Sequence, residues 1–252
     1  MASQPNQIRL DDELGSTLDM GSDNLAQVHL NMNEGYYTDD QNRFDNPAIR
    51  EVANTVKQVR QKFTDHHNRR INRNPKINDA QHRENMKRDL KKLDDSSMQL
   101  IRTQMVKLEG AVSAKEKELD DLANFKVDRD YINSITGAFY GLSAGEKQQH
   151  LSRMIAEKRG PELAILCNAD QLLTGLNGEQ RAGTRRRLHE QVSPKGLAEL
   201  EQMQTALRRF EHGANGTVGQ LMRLKGGLDK YTAEIERVEN LTRQPSSGFP
   251  GE

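Results

Sequence analysis

Between residues 79 and 125 the chain runs for 47 positions with no proline and a single glycine, Gly110. Leu90, Leu93, Ile101, Met105, Leu108, Val112, Leu119 and Leu122 fall there on steps of three or four, with two places skipped. This spacing predicts one helix with a narrow apolar stripe. At ~1.5 Å per residue such a helix is ~70 Å long, far beyond an average globular helix. The rest of the chain must therefore lie along it or leave it bare. Leu90, Ile101 and Val112 recur every eleven residues, as do Leu108 and Leu119. That repeat belongs to a nearly straight helix rather than a left-handed supercoil. Ser97 and Gln104 fall on or beside the seam, and polar seam residues specify register at the expense of stability.

A second amphipathic segment precedes it. Asn46 and Pro47 read as an N-cap and a first helical residue. Ile49, Val52, Val56, Val59 and Phe63 continue in steps of three and four. Asn74-Pro75 stops this helix, and Asp79 restarts the chain as the long one. Two long amphipathic segments around a short break predict an antiparallel, coiled-coil-like helical hairpin over residues 46–125.

The remainder also reads as helical. Tyr131, Ile132, Ile135, Phe139 and Leu142 suit a short helix interrupted by Gly137 and Gly141. Ser143 with Glu146, and Asn177 with Gln180, have capping-box spacing. Gly160-Pro161 ends one helix and starts another through Leu163, Leu166 and Leu173. Ser193-Pro194 opens a helix carrying Leu197, Leu200, Met203, Leu207 and Phe210. A glycine-containing break at 213–216 follows, and Thr217 caps a last helix with Leu221, Leu224, Leu228, Tyr231, Ile235 and Val238. The fold class expected is all-α, in the order hairpin 46–125, short-helix cluster 126–216, long C-terminal helix 217–243 and flexible tail 244–252. Apolar residues make up only 34% of the chain, which suits helices with thin faces better than a thick core.

Residues 1–45 have no sustained period and carry nine acids against Arg9 and Arg43, a net charge of −7. They read as a disordered acidic arm. Leu14, Leu18 and Leu25 are candidates for a short helix formed on binding, and Tyr36-Tyr37 for a docking anchor. Residues 46–95 carry thirteen bases against seven acids, a net +6, and the whole chain is neutral. An acidic arm beside a basic section either folds back on it or competes with a partner for it.

Catalytic patterns are sparse. Gly141-Leu142-Ser143-Ala144-Gly145 matches the G-x-S-x-G turn that lifts a serine above a hydrolase sheet, with Asp170 and then His189 or His212 in the expected order. That reading needs several parallel strands, and the capping box with Glu146 explains Ser143 more simply. Asp65, His66, His67 and His82 gather near the hairpin's closed end, but adjacent histidines point ~100° apart on a helix. No metal or other cofactor is expected. Cys167 is the one cysteine, so there is no disulfide framework, and its neighbours Leu163 and Leu166 suit a buried thiol. Gly226-Gly227 lies inside a helical pattern as a local weak point.

Two basic clusters are candidates for polyanion contact. Arg69, Arg70, Arg73 and Lys76 surround the hairpin bend, with Arg83, Lys87, Arg88, Lys91 and Lys92 beyond; Arg181, Arg185, Arg186 and Arg187 form the second. Glu84, Asp89, Asp94 and Asp95 interleave with the first, and aromatic residues for base stacking are lacking nearby.

The leading expectation is a non-enzymatic structural, assembly or adaptor protein. Its helix-packing residues, Ile49 to Phe63 on one helix and Leu90 to Leu122 on the other, would serve self-association or a protein partner, with a homo-oligomer expected. The second reading is a helical nucleic-acid-binding protein, and the third a serine hydrolase at Ser143. No apolar run approaches the length of a membrane span, and a reducing, cytoplasmic setting is expected, with incorporation into a larger particle or non-classical export as alternatives.

Overall fold

The computed structural model describes residues 46–72 and 74–243. Among them the chain forms eight α-helices, one 3₁₀ turn and no strand. The order is α1 (Pro47–Ile71), α2 (Asp79–Leu122), the 3₁₀ turn (Arg129–Tyr131), α3 (Ile132–Tyr140), α4 (Ala144–Ala156), α5 (Gly160–Asn168), α6 (Gln171–Thr174), α7 (Gly178–Val192) and α8 (Pro194–Arg243). The fold is all-α, as the spacing of apolar residues predicts. The expectations for the arm 1–45, for Arg73 and for the tail 244–252 lie outside the described residues.

Local signals place the helix ends. Asn46 Oδ1 accepts from the Ala48 amide at 2.9 Å with Pro47 just inside α1. Helix α2 begins at Asp79, where the chain is expected to restart, and Asn78 caps it, accepting from the Gln81 amide at 2.8 Å. The long helix stops at Leu122, three residues before the expected Phe125. Asn124 turns left-handed at φ 48°, the Phe125 amide reaches Asp120 O at 2.7 Å, and the Asn124 amide reaches Asp121 O at 3.1 Å. This is the Schellman pattern, in which a left-handed residue lets two amides satisfy the last carbonyls. Lys158, at φ 54°, ends α4 in the same way, before the expected stop at Gly160-Pro161.

The expected break at 213–216 is absent. Helix α8 runs unbroken through it, with Gly213 and Ala214 buried and the Thr217 hydroxyl donating back to Gly213 O at 3.0 Å. Thr217 therefore supports the preceding turn rather than starting a new helix. Glycine weakens a helix by only ~1 kcal/mol, which burial of a small-residue face can offset.

Contacts divide the chain into two units, and α2 and α8 each supply a stretch to both. The first is Met1–Val106 with Arg208–Glu252, and the second is Lys107–Leu207. In the first unit the Thr55 hydroxyl donates to Gln104 Oε1 at 3.4 Å, and Arg69 lies 3.9 Å from Asp89. Numbers rise on α1 as they fall on α2, so the two helices run antiparallel. Ile49, Val52, Val56, Val59, Phe63, Leu90, Leu93 and Ile101 are buried there, and Met105 is half-buried. Lys225 of α8 pairs with Asp94 of α2.

That interior is partly polar, as the seam residues suggested. Ser97 is 0% exposed and its hydroxyl has no hydrogen-bond partner among the described residues; Gln104 Nε2 is in the same position. An unpartnered buried hydroxyl is a net penalty, because its hydration is lost without replacement. Ser97→Ala should therefore raise stability by about 1 kcal/mol, read as a higher urea midpoint with unchanged slope. An unchanged or lowered midpoint would mean that the hydroxyl is satisfied.

The second unit has its own core. Ala123, Phe139, Leu151, Met154, Ile155, Leu163, Leu166, Leu176 and Leu188 form it, with Phe125, Ile135, Leu142 and Val192 packed at its margin. Leu108, Val112 and Leu119 of α2 are also buried in this unit. Leu122 departs from the expected stripe and is 57% exposed, and Ala123 is buried instead. After Leu119 the next inward position is four residues on rather than three, because 3.6 residues per turn does not hold an exact three-four alternation.

Candidate functional site

In the second unit, α7 is clamped between the end of α2 and the start of α8. Arg185 and His189, one turn apart on α7, both reach Asp120 on α2. Arg185 Nε donates to Asp120 Oδ1 at 2.9 Å and its Nη2 to Oδ2, a two-pronged fork. His189 Nε2 lies 2.9 Å from the same Oδ1. The arginine also stands over the Phe125 ring, 5.7 Å from its centre. Asp120 holds the Arg185 guanidinium more firmly protonated than usual, despite the opposing effect of burial. Arg186 donates to Glu201 of α8 at 2.6 Å. Gln204 of α8 donates to Glu116 of α2 at 2.9 Å, and Lys115 reaches Glu199 at 2.9 Å.

Arg185, Arg186, His189, Glu116, Glu201 and Gln204 border a cleft of about 250 Å³. Its apolar walls are Leu197 and Leu200, and its polar rim carries Glu116, Glu201, Arg185, Arg186 and His189. Acids and bases alternate around it, and both arginines already hold carboxylates. The arrangement positions helices. It presents neither an unpaired arginine for a phosphate nor a nucleophile with an adjacent base.

The structure therefore redistributes the residues singled out in the sequence. Of the second basic cluster, Arg185 and Arg186 are engaged as above, while Arg187 is exposed. In the first cluster, Arg69 Nε donates to Asp65 O at 3.3 Å, Lys87 pairs with Glu84 at 3.6 Å, and Arg88 donates to Asn85 at 2.6 Å. Lys76 is exposed, Arg70 is half-buried, and Arg73 lies outside the described residues.

Ser143 sits at the start of α4, where its hydroxyl donates to Glu146 Oε2 at 2.7 Å and accepts from the Glu146 amide at 3.4 Å. That bond holds the Glu146 carboxyl below its usual range. Asp170 caps α6, accepting from the Leu172 amide at 2.7 Å, and His189 belongs to the Asp120 cluster. With no strand among the described residues, the strand-turn-helix context that G-x-S-x-G requires is missing. Cys167 is half-buried, its thiol donating to Arg181 O at 3.7 Å. Burial pushes that thiol up to about 11, against the pull of Arg181 and Arg185, so it stays protonated at neutral pH.

No group of three or more metal-ligating side chains gathers among the described residues. Instead His66 is buried, with Nδ1 unpartnered among the described residues. Desolvation pushes its pKa down to about 4, opposed by Asp89 and reinforced by Arg69, Arg70 and His67. The folded chain thus holds His66 neutral, whereas the unfolded chain protonates it near its ordinary value of about 6.5. Its stabilising contribution is complete above that value and is lost as pH falls through about 4. The expected loss between pH 7 and pH 4 is roughly 2 kcal/mol, smaller in His66→Phe. An equal pH slope in both proteins, measured by urea titration, would assign the acid sensitivity elsewhere.

The Asp120–Arg185–His189 cluster was not found by sequence reasoning, which placed Arg185 in a basic patch and weighed His189 only as a hydrolase partner. The one available signal was the four-residue spacing of Arg185 and His189 on one helix. No protein-family model matches the chain, and no curated protein or solved structure matches it.

Proposed function

We propose that this chain is a non-enzymatic assembly or adaptor protein that holds protein partners, other copies of itself included, on helical surfaces. The observation that carries the reading is a run of exposed large apolar side chains in the second unit. Leu122, Val127, Tyr131, Tyr140, Leu172 and Leu173 all stand in solvent, Leu172 at 84% exposure. Leu172 and Leu173 ride on α6, a single helical turn packed on α3, and α3 itself ends in Tyr140. Neighbouring exposed leucines and tyrosines are what a protein interface covers. The engagement of Ser143, Cys167 and the Asp120 cluster in structural contacts supports the same reading. No helix among the described residues is long and apolar enough to cross a membrane.

Size-exclusion chromatography with light scattering tests it on the full chain. The expected result is a stable multiple of 28.6 kDa, or a partner complex, that Leu172→Asp with Tyr140→Asp disrupts while helicity is kept. A monomer that captures no protein, with the double variant indistinguishable, would overturn it.

A second reading, nucleic-acid binding at the hairpin bend, has one observation in its favour. Lys76, Lys91 and Lys92 are exposed with no carboxylate partner among the described residues. Excess absorbance at 260 nm that disappears in high salt, and weaker binding in the Arg69, Arg70 and Arg73 to alanine variant, would promote it.

A further inference from the structure

We infer that the exposed surface of α3 and α6 is a two-fold contact with a second copy of this chain, in which Leu172 of each copy seats on Gly137 of the other. The inference rests on the assembly reading and names its partner. In a chain that is 29% charged, residues 131–145 and 171–178, which include all of α3 and α6, contain no lysine, arginine, aspartate or glutamate. Asn133, Gly137 and Tyr140 are spaced by four and three, so they share one side of α3, and all are exposed. Helix α6 packs on α3. Lys147 joins their ends: its ammonium stands 5.5 Å from the centre of the Phe139 ring and 3.0 Å from where a Cβ on Gly175 would lie. Gly175 ends α6 and Phe139 precedes Tyr140, so Leu172 and Leu173, both exposed, are brought to the Tyr140 end of α3.

The shape of this face is complementary to itself. Leu172, at 84% exposure, is a knob, and Gly137 is a floor, because a Cβ there would meet nothing within 4 Å among the described residues. A two-fold axis lying in the plane of contact, between α3 and α6, sets α6 of each copy over α3 of the other. Each pairing then occurs twice, as an isologous contact requires. Tyr140, Leu172, Leu173 and the small residues around them expose on the order of 500 Å² per copy, so two copies bury about 1,000 Å², the lower end of specific interfaces. An uncharged centre is what such an interface has. Acids bound both segments: Asp130, Glu146, Asp170 and Glu179. Glu146, Asp170 and Glu179 lie at helix starts, where the positive end of the helix offsets their charge. The rims of two copies therefore repel only weakly, and salt screens what repulsion remains.

The test is sedimentation equilibrium of the full-length protein across about 1–100 µM, the range suited to a contact of this size. The expected result is a monomer–dimer equilibrium that persists in about 1 M NaCl, where the screening length is about 3 Å. Gly137→Arg and Leu172→Asp should each raise the dimer dissociation constant at least about tenfold. Both positions are exposed, so helicity by circular dichroism should be unchanged. An equimolar mixture of the two variants should restore the dimer. One of its two pairings is then the native leucine on glycine, and the other sets an aspartate against an arginine. A dimer unaffected by either variant, or one that salt dissolves, would overturn this contact and leave the assembly reading to another surface. Variants that dissociate singly and stay monomeric when mixed would overturn the two-fold pairing. A wild-type monomer at every concentration would overturn the second copy as occupant, and the assembly reading falls with it only if that monomer also captures no protein.

Discussion

Replacing Gly160 by alanine should destabilise the second unit by about 3 kcal/mol, at the upper end of overpacking effects. A Cβ at residue 160 would lie 1.9 Å from the carbonyl oxygen of Ala123 and 2.7 Å from that of Asn124. Both obstacles are backbone, so no rotamer change can relieve the clash. They also belong to the Schellman turn that ends α2, where Asn124 is already left-handed. Moving that turn would disturb Ala123, a member of the core, and Asp120 three residues before it. By contrast, Gly137, Gly145 and Gly183 have nothing within 4 Å of an added Cβ, so alanine there should be neutral or stabilising. Urea unfolding followed by circular dichroism separates the cases. A Gly160→Ala protein as stable as Gly145→Ala would show that α5 does not approach the α2 terminus this closely.

Asp120→Ala should cost about 1–3 kcal/mol, because it removes one carboxylate from three donors at once, one of them buried and the others partly screened by water. His189 is 3% exposed, and Arg185 has no second carboxylate among its hydrogen bonds. His189 is left with a desolvated ring nitrogen, whereas the Arg185 side chain, 37% exposed, keeps access to water. Asp120→Asn keeps the shape but loses the charge, and should fall between alanine and wild type. The discriminating measurement is a double-mutant cycle. If the fork holds α7 to α2, the losses from Asp120→Ala and Arg185→Ala are strongly non-additive, with a coupling of at least about 1 kcal/mol. Additive losses would reduce the cluster to two separate packing effects. The apolar walls of the nearby cleft, Leu197 and Leu200, are untouched by either change, so the cycle reports the polar contact alone.

Much of the architecture follows from short-range rules. Asn46 before Pro47, Ser143 before Glu146 and Asn177 before Gln180 each set a helix start within four residues, and all three caps form. The apolar steps from Ile49 to Phe63 and from Leu90 to Ile101 identify buried faces. Even the polar defects at Ser97 and Gln104 are readable, because a position on the stripe is buried whatever residue occupies it. Caps and periodicity act between residues one to four positions apart, and one sequence contains that information in full.

Other features rest on distant contacts. Asp120 meets Arg185 and His189 across 65 and 69 residues, and nothing local to α7 distinguishes an arginine that will be paired from one exposed to a partner. The basic patch expected at 181–187 accordingly lost two of its members to carboxylates on other helices. Continuity of α8 through Gly213 and Gly216 was equally non-local, since two glycines disfavour a helix unless burial nearby, here of Gly213, Ala214 and Thr217, offsets them. The close approach of α5 to the end of α2, where a Cβ on Gly160 would meet the Ala123 and Asn124 carbonyl oxygens, is non-local too. Capped helix starts and most of the buried faces follow from the order of residues alone, because those signals act within one or two helical turns. Which charges are neutralised and which apolar side chains remain in water depends on neighbours brought from far along the chain.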